Sequence, residues 1–245
     1  MGRSVRKPFT AAVVAAALPF GANAGVSNCE IASGDRLMPV IELYTSEGCS
    51  SCPPADQWLS GLKGKPVVAQ AFHVAYWDYI GWADRFAMPS FAARQKEVAQ
   101  VNGLRGIYTP QVVRNGRDWP QWRSALHNDD FNKPARAAIV LRGQGGSNAF
   151  VAHVAPTDAN GKWTAYWTVT EHQHASRVKA GENAGETLQH DFVVTQYTPA
   201  GRYQGAHALR FHAVAAHADH PRQVNLVVSD AQTGEPLQAL SLQCP

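Results

Sequence analysis

The chain has 245 residues, 45% hydrophobic and 17% charged, with 20 Gly and 15 Pro. That is a globular composition, neither disordered nor fibrous, with length for one large or two ordinary domains. Its formal charge is +3, but Arg3, Arg6 and Lys7 precede every acidic residue, and removing them leaves 19 basic against 19 acidic side chains; a neutral mature chain excludes any general attraction for nucleic acid or anionic lipid.

Residues 1–24 have the three parts of a secretory signal: a basic start, the apolar run Ala11 to Leu18, and the small-residue end Ala22-Asn23-Ala24. The run is too short for a stable membrane span. The sequence therefore predicts cleavage near Ala24, a secreted or periplasmic location, and no span once the leader is gone. An arm, residues 25–37, follows and carries Cys29.

From Met38 to His127, short apolar runs alternate with helix-like segments. Pro39 to Thr45 and Pro66 to Val74 read as buried strands. Pro54 to Leu62 reads as a helix with Trp58, Leu59 and Leu62 on one face. Pro89 to Val101 is a second helix, with proline at its start and Gly103 just past its end. Thr109 to Gly116 is a proline-initiated strand ending in Asn115-Gly116, the strongest short hairpin signal. Trp119 to His127 reads as a short terminal helix. Such alternation predicts an α/β layer with a largely parallel sheet.

Beyond residue 130 the helical signal nearly vanishes. Residues 137–142, 148–154, 163–170, 188–197, 206–215, 223–228 and 237–242 are short β-type runs separated by Gly- or Asx-rich turns. They predict a sandwich or a partly open barrel. The expected division is a signal at 1–24, an arm at 25–37, an α/β domain at 38–130 and a mainly β, sandwich-like domain at 131–245.

Four cysteines, Cys29, Cys49, Cys52 and Cys244, allow three pairings. The C-x-x-C spacing of Cys49 and Cys52 suits a reversible disulfide at a helix start. The remaining two, at the ends of the mature chain, are expected to join in an oxidising compartment; the alternative is two buried free thiols. At a helix N-terminus, unpaired N–H groups and the macrodipole favour the thiolate, which is the nucleophile. The second sulfur can lie behind the first and resolve a mixed disulfide.

The order strand, C-x-x-C, helix, strand, helix, X-Pro loop, hairpin, helix resembles the thioredoxin superfamily. More closely, ELYTSEGCSSCPPAD, AFHVAYWDYIGWADRFA, YTPQVV and GENAGETLQHDFVV look like the secreted family catalogued as domain of unknown function 1223. The resemblance implies a thioredoxin-like fold for 38–130 and thiol–disulfide exchange on protein thiols and disulfides, with an unidentified redox partner. It implies that Cys49 attacks, that Cys52 resolves, and that Pro110 is a cis-proline facing the disulfide, with Thr109 offering its backbone to an extended substrate. It also makes Glu42 a buried carboxylate able to take a proton from Cys52, the alternative being a structural glutamate bonded to the turn backbone. Two departures stand out: Gly48 where thioredoxins carry Trp, and Ala75 where an Asp is common in the family.

The aromatic run from Tyr76 to Phe86 reads either as packing between domains or as a wall beside Cys49, with Trp77 and Trp82 holding a polypeptide. Eight of ten histidines lie after residue 150, including His172, His174, His217 and His220. Their spacing alone assigns no metal, and no dinucleotide, P-loop or G-x-S-x-G motif is present, so no cofactor is expected. Two rival functions remain: Cu(I) or other soft-metal handling by Cys49, Cys52 and a histidine such as His73, and a non-catalytic binding module stapled by the C-x-x-C disulfide.

Overall fold

The computed structural model describes residues 1–2, 28–124, 126, 131–144 and 147–244. The expected signal sequence, apart from Met1 and Gly2, and its expected cleavage point lie outside them. Among the described residues no helix is long and apolar enough to cross a membrane.

In chain order the elements are β1 (Asn28–Ala32), β2 (Val40–Thr45), α1 (Pro53–Ser60), β3 (Val68–His73), a 3-10 segment Ala75–Ile80, α2 (Pro89–Val101), β4 (Gln111–Arg114), β5 (Arg117–Asp118), β6 (Ala137–Gln144), β7 (Ala149–Pro156), β8 (Lys162–Glu171), β9 (His174–Arg177), β10 (Thr187–His190), β11 (Val193–Gln204), β12 (His207–His212), β13 (Arg222–Asp230) and β14 (Pro236–Leu242). Prolines open both helices, where a missing N–H costs nothing. Asn115 and Gly116 both take positive φ, 50° and 77°, as a two-residue hairpin between β4 and β5 requires.

The expected α/β thioredoxin-like N-terminal domain, set apart from a mainly β one, is overturned. The protein is mostly strand, and one eight-stranded sheet of order β14-β13-β8-β11-β3-β2-β4-β5 runs through both halves of the chain. The join is at Val193, the first residue of β11, which pairs parallel with Ala71 of β3 and antiparallel with Glu171 of β8. A free β3 edge would present unpaired N–H and C=O groups; here the Ala71 N–H donates to the Phe192 carbonyl at 2.8 Å. Nor is the sheet largely parallel: only the β2–β3 and β3–β11 pairs run that way.

A second sheet, β1-β6-β7-β12, lies over the β14-β13-β8 end of the first. Ile139, Leu141 and Phe150 from the smaller sheet interleave with Trp163, Trp167 and Leu226 from the larger. The arm therefore supplies a strand, and Cys29 on β1 closes a disulfide with Cys244, Cα atoms 5.6 Å apart. At the other end the sheet is covered on both faces. Ile41, Leu43 and Val112 pack against Leu59 of α1 and Leu62 in the turn after it, while Tyr44, Phe72 and Val113 pack against α2 through Phe91 and Val98.

Two local expectations also fail. Residues Trp119–Ser124 form turns rather than the start of a helix, with Trp119 and Trp122 each 5.7 Å from the Trp58 ring. The predicted strand 188–197 is split at Asp191-Phe192, where Phe192 takes φ 57°. Its first part, β10, leaves the large sheet and pairs with β9 as a two-stranded hairpin.

Candidate functional site

β2 ends at Thr45, and the chain then turns through Ser46-Glu47-Gly48 into Cys49. Cys52 is the residue that caps α1, and its carbonyl accepts from the N–H groups of Ala55 and Asp56. Cys49 and Cys52 are joined as a disulfide, with Cα atoms 5.4 Å apart. The hydroxyl of Ser51, between them, lies 3.4 Å from Cys49 Sγ.

Thr109–Pro110 is cis. Tyr44 pairs with Gln111 across β2 and β4, so Pro110 stands at the sheet end from which the C-x-x-C emerges. The Trp77 indole N–H donates to Thr109 Oγ1 at 2.7 Å, and the Trp82 indole N–H donates to Glu47 Oε2 at 2.7 Å. Both predicted wall residues thus contact the loop that leads into Cys49 or the Thr109–Pro110 pair, and their polar atoms are engaged within the protein. Gly48 departs from the thioredoxin pattern for a steric reason: a Cβ there would meet Trp77 Cβ at 2.9 Å.

Both cysteines of the disulfide are closed off from solvent. Cys49 is 1% and Cys52 0% exposed, although Ser50 and Ser51 between them are exposed. The cover is the tip of the β9–β10 hairpin. Asn183 donates through Nδ2 to the carbonyls of Glu47 at 2.8 Å and Cys49 at 3.1 Å. The Glu182 carboxylate accepts from the Ser50 N–H at 3.0 Å and its hydroxyl at 2.7 Å.

Glu42 does not face Cys52. Alternation along β2 places Ile41 and Leu43 on the α1 side and Glu42 and Tyr44 on the α2 side. The Glu42 carboxylate is paired with Arg94 of α2 at 2.5 Å, and it accepts from the hydroxyls of Tyr44 and Tyr166, each at 2.7 Å. Burial alone would raise its pKa, but the Arg94 charge and these hydrogen bonds outweigh that and hold it below the usual carboxylate range. Its partners are thus Arg94 and two tyrosines, neither Cys52 nor the turn backbone.

On the α1 side the sheet end holds a buried network that the sequence reading did not assemble. Glu47, Asp56, His73, Asp84 and His190 are all at most 6% exposed. His73 Nδ1 lies 2.7 Å from Asp84 Oδ2, which also accepts from the Glu47 N–H at 2.9 Å. His190 Nε2 lies 3.2 Å from Glu47 Oε1, and Asp56 accepts from the Thr45 hydroxyl at 2.9 Å. The Phe86 ring closes one side, its centroid 5.1 Å from His73 and 5.7 Å from His190. Burial raises the Asp56 pKa. Burial acts the same way on Asp84 and Glu47, but their histidine partners prevail and keep both below the ordinary value. His73 is lowered by burial and raised by Asp84, with the pairing prevailing.

The soft-metal set of two cysteines and His73 is not assembled: both sulfurs are bonded to each other, and the cluster close enough to share an ion among the described residues contains no cysteine. His172, His174 and His220 engage neighbouring side chains or backbone, as in the 3.0 Å contact of His174 with Glu171 and the 3.0 Å contact of His220 with the His172 carbonyl. Ala75, where the family commonly has Asp, is exposed at the start of the 3-10 segment.

Two solved structures resemble the whole arrangement. Protein AGR_C_4864 from Agrobacterium tumefaciens is 24% identical with a TM-score of 0.63, covering 87% of this chain and 97% of that one. HBP35 of Porphyromonas gingivalis is 13% identical with a TM-score of 0.59, covering 86% of this chain and 76% of that one. At these identities the likeness concerns the fold alone. No curated protein matches. A family described as "Protein of unknown function (DUF1223)" matches residues 40–229. The chain belongs to the DUF1223 family.

Proposed function

We propose that this is an exported protein that exchanges thiols and disulfides through Cys49 and Cys52. The observation that carries the reading is a disulfide at the junction of a strand and the first turn of a helix, on a loop tied by hydrogen bonds to the tip of the β9–β10 hairpin. A thiolate freed at Cys49 has the Ser51 hydroxyl in reach and lies just ahead of the N-terminus of α1, both of which favour its charge. A leader-like N-terminus together with two disulfides fits an oxidising compartment.

In the forward step a partner thiolate attacks Cys49 Sγ, the Cys49–Cys52 bond breaks, and Cys52 leaves as a thiolate. A second partner thiol, deprotonated, then attacks its own sulfur in the mixed disulfide and releases Cys49. The partner ends oxidised to a disulfide, and the protein gains two electrons and two protons. Reversal runs the same bonds the other way.

Cys52→Ser traps partners as mixed disulfides in the native compartment, and Cys49→Ser abolishes turnover in a disulfide-exchange assay. Full activity in Cys49→Ser refutes the proposal. The burial of both sulfurs favours a second reading, a structural staple in a binding module. The reduction potential separates the two: below about −300 mV the disulfide is structural, above it exchangeable.

A further inference from the structure

We infer that Asp56, His73 and His190 form a binding site for one divalent borderline transition ion such as Zn2+, independent of the cysteines. One donor atom from each residue lies within 4.8 Å of the other two, and His190 Nδ1 is 4.0 Å from Asp56 Oδ1. His73 Nε2 and His190 Nδ1 are buried with no hydrogen-bond partner, on side chains 0% and 2% exposed. Orphaned ring nitrogens at that depth are rare and call for an explanation.

The other nitrogen of each ring explains the arrangement. His73 Nδ1 faces the Asp84 carboxylate and His190 Nε2 faces the Glu47 carboxylate. An ionised carboxylate only accepts, so a neutral imidazole in either place gives it the ring proton and leaves its lone pair on the orphaned nitrogen. His190 thus turns its free nitrogen towards the Asp56 carboxylate, with the carboxylate-paired His73 in the same 4.8 Å cluster, the pattern that orients histidines on zinc. Charge points the same way. Three buried carboxylates share the cluster with only two imidazoles, and a divalent cation offsets the excess that desolvation penalises.

Two nitrogens and an oxygen suit Zn2+ in tetrahedral coordination, which leaves a fourth position open. Ligand atoms at about 2.1 Å from such an ion stand roughly 3.4 Å apart, so the His190–Asp56 pair closes by about half an ångström. An entry path exists: a surface pocket of about 280 Å3 is lined by Pro53, Asp56, Gln57, Leu188 and His190.

The test uses the full chain with both disulfides intact, so that no thiolate is offered, and titrates it with ZnCl2 by calorimetry and equilibrium dialysis. The expected result is one ion per chain, lost in His190→Ala and in Asp56→Ala, and weakened about 10–100-fold in Asp84→Asn. A Cys49→Ser/Cys52→Ser double variant binds as the parent does. Co2+ added to the unaltered protein gives tetrahedral visible bands without sulfur charge transfer, a readout that needs no variant to fold. Absence of stoichiometric Zn2+ binding by the folded parent overturns the site. So does undiminished binding in folded His190→Ala, loss of binding in the folded double serine variant, or a sulfur-to-cobalt band.

Discussion

Removing the Asn183 side chain tests whether the hairpin tip gates the Cys49–Cys52 disulfide. Asn183 donates to the Glu47 and Cys49 carbonyls at 2.8 and 3.1 Å, and because Cys49 is 1% exposed, a thiol reaches its sulfur only when the structure around it opens. When reclosing is faster than attack, the reduction rate follows the population of the open state. Each intramolecular hydrogen bond contributes about 0.5–1.5 kcal/mol net, so losing two lowers the opening free energy by about 1–3 kcal/mol. At 1.4 kcal/mol per decade, Asn183→Ala then speeds reduction by dithiothreitol roughly 5- to 150-fold. The Glu47 carbonyl loses its donor in the closed form, which acts in the same direction, whereas the Cys49 carbonyl keeps the Cys52 N–H at 3.2 Å. The assay quenches the reaction with an alkylating agent and counts modified Cys49 and Cys52 by mass spectrometry. Glu182→Gln is the smaller perturbation, because its bonds to Ser50 are solvent-exposed. A rate unchanged in folded Asn183→Ala refutes the gating argument.

Arg94→Met strands the Glu42 carboxylate, whose side chain is 3% exposed, and is expected to cost about 3–5 kcal/mol in urea unfolding; Glu42→Gln/Arg94→Met together cost much less, and equal losses contradict the pairing. Because the folded state depresses the Glu42 pKa below 4.5, its contribution is complete above that value and is lost as pH falls through the lower, folded one. The parent therefore loses Tm faster below pH 4.5 than the double variant does, whereas parallel curves remove the claim. Gly48→Ala places a Cβ against Trp77 and is expected to cost about 1–3 kcal/mol, with a red-shifted tryptophan emission; an unchanged Tm means the loop yields freely. Replacing Cys29 and Cys244 by Ala opens a link that spans 215 positions and is expected to cost about 2–5 kcal/mol. No change in thermal unfolding would show that β1 is held by its pairing with β6 alone.

Where side-chain chemistry agreed with backbone period, the sequence was readable. In β7 the buried residues Phe150, Ala152 and Val154 alternate with more exposed neighbours, and the apolar pattern alone predicts that strand. The proline at the start of α2 and the Asn115-Gly116 turn were equally plain, since each meets a backbone requirement few residues satisfy. Trp119 and Trp122 misled because a three-residue spacing mimics a helix face; both rings rest on Trp58 from a turn instead. The α/β division failed for a different reason: the single pairing of Val193 with Ala71 that fuses the halves is a long-range edge match with no local signature.

β9 and its pairing with β10 were missed, although residues 188–190 were read as strand, because the inward face carries His174, Ser176 and His190 beside Leu188, so hydrophobicity does not alternate where burial does. Burying such residues is unfavourable unless each meets a charged or hydrogen-bonding partner. His190 meets Glu47 and His174 meets Glu171. The same partners that make the strands thermodynamically possible therefore hide them from an apolar-pattern reading. Local rules break where a protein places its chemistry. One hairpin, supplying Asn183 over the disulfide and His190 to the buried carboxylates, couples the two sites through a single element. Its tip is bonded to the Glu47 and Cys49 carbonyls, while its stem keeps an imidazole 4.0 Å from Asp56.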